Sequence, residues 1–136
     1  MAQGEKLFEE KGKVTMAFIK QINADGVVMK QSFTSELKGH GRWPNGMNMG
    51  SGWVKMLPNG MARGKWNGIF NTADGEMITW KGSGRSKRTS NSINGVMIIS
   101  FMTMSEKYRW MNEVVAIAEV KGDMMTFSDV GYEWKL

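Results

Sequence analysis

Turn-forming dipeptides punctuate this chain at short intervals, and they constrain its fold more than any other feature. Asp25-Gly26, Asn59-Gly60, Asp74-Gly75, Asn94-Gly95 and Gly122-Asp123 recur between segments rich in Val, Ile, Thr, Phe and Trp. Asn-Gly and Asp-Gly reach positive φ at low cost, which two-residue hairpins require. The intervening segments run to about ten residues, the spacing of an all-β meander. Candidate strands cover 13–22, 27–38, 50–57, 61–71, 76–87, 94–103, 113–121 and 124–134, with an N-terminal arm or short strand within 1–12. The 136 residues form a single domain, 1–136, by the usual size relation.

Eight antiparallel strands either stack as a sandwich or curl until the last pairs with the first. Alternation favours closure. Segment 61–71 sets Ala62, Gly64, Trp66, Gly68 and Phe70 against Arg63, Lys65, Asn67 and Asn71. Segment 76–87 sets Ile78, Trp80, Gly82 and Gly84 against Thr79, Lys81 and Ser83. Glycines alternating with indoles on one face suit the tapering interior of an up-and-down barrel. Between the sixth and seventh strands, residues 105–112 read as a short helix capped by Ser105, or as a wide loop; Met104, Tyr108, Met111 and Val115 would share its apolar face.

Two segments are apolar on both faces. Val96, Ile98 and Met102 oppose Met97, Ile99 and Phe101; Val114, Ala116, Ala118 and Val120 oppose Val115 and Ile117. A barrel strand buries only one face, so a homo-oligomer interface is expected through strands 94–103 and 113–121.

Chemistry is sparsely signalled. With no cysteine and a single histidine, His40, neither a thiolate nor a multi-histidine metal site can form, and no cofactor motif is present. Glu9-Glu10 and Asp74-x-Glu76 read as solvated surface acids beside a terminus or a turn. Glu119 is different: it follows Val115 and Ile117 on an apolar strand, either as a polar anchor inside the lumen or as a solvated group outside. The lumen candidates are Trp66, Phe70, Ile78 and Trp80, with Arg109 and Glu119 as the groups that would orient a ligand. Trp43, Trp53, Trp110 and Trp134 cannot be assigned a side, and the fourteen methionines serve either as core filler or as an adaptable lining.

The formal net charge is +5, but cations are spread along the chain. The densest cluster, Arg85, Lys87 and Arg88, reads as a solvated loop, so nucleic acid ranks low among partners. The N-terminus lacks a secretory apolar region and no stretch is long enough for a spanning helix, so a cytoplasmic protein with no membrane association is expected.

The hairpin Asn71-Thr72-Ala73-Asp74-Gly75-Glu76-Met77-Ile78-Thr79-Trp80-Lys81-Gly82-Ser83-Gly84, set in this meander, resembles those of calycin-type small barrels. More specifically, the chain resembles bacterial and archaeal barrels grouped near the allene oxide cyclase-like and avidin-like proteins. The resemblance covers residues 13–134 in pattern. It implies an eight-stranded antiparallel barrel, frequent oligomerisation and a central cavity, and it carries over no catalytic residue. The first functional reading is a barrel that binds a small hydrophobic or amphipathic molecule in its lumen. The alternatives are a cofactor-independent cyclase or isomerase acting in that cavity, and a surface interaction or nucleic-acid module.

Overall fold

The computed structural model describes residues 3–135 and contains a closed antiparallel barrel in which every strand pairs with its sequence neighbours and the last pairs with the first. The strands are β1 (Gln3–Asn23), β2 (Gly26–Gly39), β3 (Gly46–Met56), β4 (Met61–Thr72), β5 (Met77–Thr89), β6 (Ser92–Met102), β7 (Val115–Gly122) and β8 (Thr126–Trp134). The expected up-and-down barrel is the observed fold. No helix among the described residues is long and apolar enough to cross a membrane.

Several boundaries move, each for a local reason. The arm or short strand expected ahead of residue 13 is the first half of β1, where Glu9, Glu10 and Lys11 pair with Val130, Asp129 and Ser128 of β8. Beyond Val14 the second half of β1 pairs with β2 alone, while β2 itself stays paired with β3 as far as Val27. Gly26 closes the β1–β2 hairpin at φ +134, a conformation a side chain would strain. Asn94-Gly95 is not a turn: β5 runs on to Thr89, the chain reverses at Ser90 and Asn91, and Gly95 pairs with Ser86 inside β6. Arg85, Lys87 and Arg88 therefore lie in a paired strand rather than in a loop. Gly122 likewise ends β7, and the turn is built by Asp123, whose Oδ1 accepts the backbone N–H groups of Met125 (2.7 Å) and Thr126 (2.8 Å).

The short helix or wide loop expected over 105–112 is a turn followed by a short 3₁₀ helix at Arg109–Glu113, which Ser105 does not cap. Asn112 ties the segment down instead, accepting from the Thr103 N–H at 2.7 Å and donating to the Thr103 carbonyl at 3.1 Å. A segment this short cannot hold an α-helix by propensity, so packing decides its shape. Tyr108 and Met111 are buried, whereas Met104 is almost fully exposed.

Inside the barrel, large rings lie over glycines of the adjacent strand. Gly68 pairs with Trp80, and a Cβ added at Gly68 would stand 2.7 Å from the indole Cζ2. Gly52 pairs with Trp66 in the same way, also at 2.7 Å from the ring. The alternation thus exists because the ring needs the space that the missing side chain leaves.

One end of the barrel is plugged. Trp43, from the β2–β3 loop, packs on Phe8 (5.5 Å between ring centroids), Phe101 (5.0 Å) and Trp110 (5.7 Å). Asp74, in the β4–β5 turn, accepts a hydrogen bond from the Tyr108 hydroxyl at 2.9 Å and pairs with Lys107. Those bonds, Lys107 first, then Thr72 and Tyr108, hold the Asp74 carboxyl well below its usual range.

The outer sides of β6 and β7 are uncovered within this chain: Val96 is 48% and Ile98 54% exposed, and Ile98 pairs directly with the half-buried Ile117.

Candidate functional site

A cavity of about 200 Å³ occupies the lumen above the plug and reaches the rim at the β7–β8 turn, near Asp123 and Met124. Its wall is aromatic. Phe33 stands at the centre, with ring centroids 5.9 Å from Trp66, 5.9 Å from Trp80 and 5.2 Å from Phe127.

A buried polar cluster interrupts this apolar wall. Glu10 and Asp129 are paired residues of β1 and β8, and both side chains point inward by strand alternation, Glu10 between Phe8 and Gly12, Asp129 between Phe127 and Gly131. The Ser35 hydroxyl donates to Glu10 Oε2, and Asn48 Nδ2 donates to the same oxygen at 2.6 Å. Asn48 Oδ1 accepts from the Trp80 indole N–H at 3.1 Å. Strands β1, β2, β3 and β5 are thereby joined across the lumen by one hydrogen-bonded chain.

Asp129 stands beside this chain. Burial above all, then the negative charge of Glu10 and a hydrogen bond with it, push the Asp129 carboxyl well above its ordinary value, which favours its neutral form. Its Oδ1 is buried against the cavity without a hydrogen-bond partner. A buried oxygen left unsatisfied costs free energy that an incoming donor or acceptor would recover.

Of the residues expected to line the lumen, Trp66, Phe70 and Trp80 do. Ile78 points the same way but is fully buried in the plug beneath the cavity. Glu119 and Arg109 do not reach the lumen. Glu119 faces outward because β7 turns Ala116, Ala118 and Val120 inward, and Arg109 is exposed on the 3₁₀ helix. The carboxyls inside the barrel are Glu10 and Asp129 instead, with Ser35 and Asn48 bound to Glu10. Glu10 is therefore not the solvated acid expected from its place beside Glu9, although Glu9 is one, bound to Lys6 on the outside with His40 Nε2 3.8 Å away. Among the described residues no group of three or more His, Cys, Asp or Glu converges as a metal site would require.

The remaining tryptophans now have places. Trp43 plugs the barrel, Trp110 packs on it beneath the Arg42 guanidinium (3.9 Å), Trp53 lies on the outer wall, and Trp134 is exposed.

No protein-family model matches the chain, and no curated protein matches it. Solved structures share its fold. A β-barrel-like protein from Acinetobacter baumannii AYE superposes with a TM-score of 0.84 at 17% identity, over 96% of this chain and 94% of that one. A protein of unknown function from Clostridium acetobutylicum ATCC 824 gives 0.81 at 17% identity, covering 96% and 98%. An enzyme from Penicillium herquei gives 0.71 at 19% identity, covering 95% and 92%. At such identities the likeness establishes a shared barrel and nothing about activity.

Proposed function

We propose that the lumen binds a small, mostly apolar molecule bearing one hydrogen-bonding group, which docks on Asp129. The observation that carries this reading is the unpartnered Asp129 Oδ1 facing an aromatic cavity. The cavity's size sets the class of ligand. Its volume, about 200 Å³, lies between the ~150 Å³ that accommodates benzene and the ~300–1,000 Å³ of drug-sized pockets. A single substituted ring or a short branched chain fits. This agrees with the proposed affinity to calycin-like and allene oxide cyclase-like barrels, which rests on the Asn71–Gly84 hairpin and on closure.

Toluene and para-cresol test the proposal, because they differ by the hydroxyl alone. Both should quench the fluorescence of Trp66 and Trp80, and para-cresol should bind roughly tenfold more tightly, the difference one hydrogen bond to a buried group supplies. Asp129→Leu should abolish the preference while leaving toluene binding intact. Equal affinity of the two probes for the parent protein, or no quenching by either, overturns the reading.

A second reading has its own support. Asp129, its neutral form favoured by burial and by Glu10, pairs across β1 and β8 with Glu10, and two carboxyls so placed offer a proton donor and a proton acceptor, the arrangement a cofactor-independent isomerase or cyclase uses. Glu10 would take a proton from the bound molecule while Asp129 returned one to another of its atoms, with no net change in protons. Glu10→Gln with retained probe binding but lost turnover would single out this reading.

A further inference from the structure

Seven of the eighteen lysines and arginines, dispersed along the sequence, are brought by the fold onto one outer wall. They are Lys30 of β2 and Lys55, Arg63, Lys65, Lys81, Arg85 and Lys87 of β3, β4 and β5, three strands without one Asp or Glu; Arg88 pairs with the cavity-lining Ile93 and lies on the inner face. Strand register then sorts their side chains into rows. Phe18, Lys30, Trp53 and Lys65 are successive partners across β1 to β4, so an aromatic ring and an ammonium alternate at the ~4.8 Å strand spacing. Lys55, Arg63 and Arg85 form the next row towards the β3–β4 turn. On the other side lies a row that starts at the exposed Met16, continues through the neutral polar Ser32, Ser51 and Asn67, and ends in Lys81.

Among the described residues none of these cations forms an ion pair with a carboxylate. A groove of about 540 Å³ runs between Phe18, Trp53, Lys65 and Lys81. Phe18 is 52% exposed and Trp53 half-buried, so both rings are open to a stacking partner on this wall.

We propose that this outer wall of β1 to β5 binds single-stranded nucleic acid, with Trp53 and Phe18 stacking bases while Lys30, Lys65, Arg63 and Arg85 hold phosphates. Rings separated by cations in one row match what a single strand offers, since stacked bases and backbone charges come at intervals along it. The alternative polyanion, an anionic bilayer, would call for a continuous apolar surface to enter the lipid. Here lysines separate the two aromatic rings, and in the flanking row two hydroxyls and an amide follow Met16, so the apolar side chains are not contiguous.

A fluorescein-labelled oligouridylate of twelve residues, titrated with the protein at several salt concentrations, tests the assignment. Four phosphate contacts would make log K fall against log salt with a slope of about −3, from the ~0.7 counterions released per contact on single strands. Trp53→Ala should weaken binding at least about fivefold through lost stacking, and Arg63→Glu with Arg85→Glu should remove measurable binding. Asp129→Leu, inside the lumen, should leave affinity unchanged, so this inference and the lumen proposal fail separately. No binding at 50 mM salt, parental affinity in Trp53→Ala, or preference for phosphatidylserine vesicles over the oligonucleotide would each overturn it. Retained β-sheet circular dichroism confirms that a negative variant is folded.

Discussion

Asp129 is held in a state that its own chemistry disfavours, and the consequence is a pH dependence with a definite sign. Its carboxyl is raised well above the ordinary value of 3.8 by burial and by Glu10. Between that value and its folded one, the native protein holds a proton that the unfolded chain has released, so stability falls as pH rises through this window. Asp129→Asn mimics the neutral acid and can still donate to Glu10. The melting temperature of the variant relative to the parent should therefore climb from pH 4 to pH 8. Parallel melting profiles across that range would show that Asp129 is ionised like a surface acid.

The same two carboxyls show where sequence reading stopped. Each carries a legible trace: Glu10 sits at period two with Phe8, Gly12 and Val14, and Asp129 with Phe127 and Gly131. The adjacent Glu9 masks the first trace, because two successive acids look solvated. That the two acids meet depends on the β1–β8 register, a closure contact between residues 10 and 129 that no local pattern encodes. Glu119 drew attention for the opposite reason. Its strand is apolar on both faces, so alternation could not say which one turns inward.

At the level of strands and turns, the reading succeeded where a residue type has one physical reason to be present. Gly-aromatic alternation in β4 and β5 required a curved wall, and the register of Gly68 with Trp80 supplies the reason. It failed where one residue type has two uses. Gly95 and Gly122 look like hairpin glycines, yet both sit in strands where the facing backbone approaches closely, Gly95 beside the Arg85 carbonyl and Gly122 beside that of Thr126. Gly68→Ala tests the packing argument. The added methyl meets the Trp80 ring at 2.7 Å and cannot turn away, because the Met49 carbonyl lies at 2.5 Å. Urea unfolding should show a loss of about 1–3 kcal/mol, the usual cost of overpacking. The indole should also be displaced from Asn48, visible as a shift of the Trp80 side-chain N–H resonance. An unchanged midpoint and resonance would mean the wall yields freely.

For the molecule as a whole, closure leaves few free backbone edges and assigns each side of the barrel a different surface. The lumen is aromatic with an acidic pair, the outer wall over β3 to β5 is cationic, and the outer wall over β6 and β7 carries an apolar patch of Val96, Ile98 and Ile117 among Asn94, Ser100, Glu119 and Lys121. That last surface is where we propose that a second copy packs, as the two-faced apolar strands imply. Val96 and Ile98 are about half exposed, and Ile98 pairs with Ile117 at the centre of the patch. An antiparallel barrel wall facing water should present polar side chains there, and at Val96, Ile98 and Ile117 it presents apolar ones. A lysine at Ile98 would place its charge in the middle of such a contact, where desolvation without a partner is costly. It would cost an isolated barrel almost nothing, because the side chain is already half in water. Light scattering of the parent at high micromolar concentration should therefore give a mass above the 15.3 kDa of one chain, and Ile98→Lys should bring it down to that value without lowering the melting temperature of the monomer. A parent that already runs at one chain mass assigns this face to solvent.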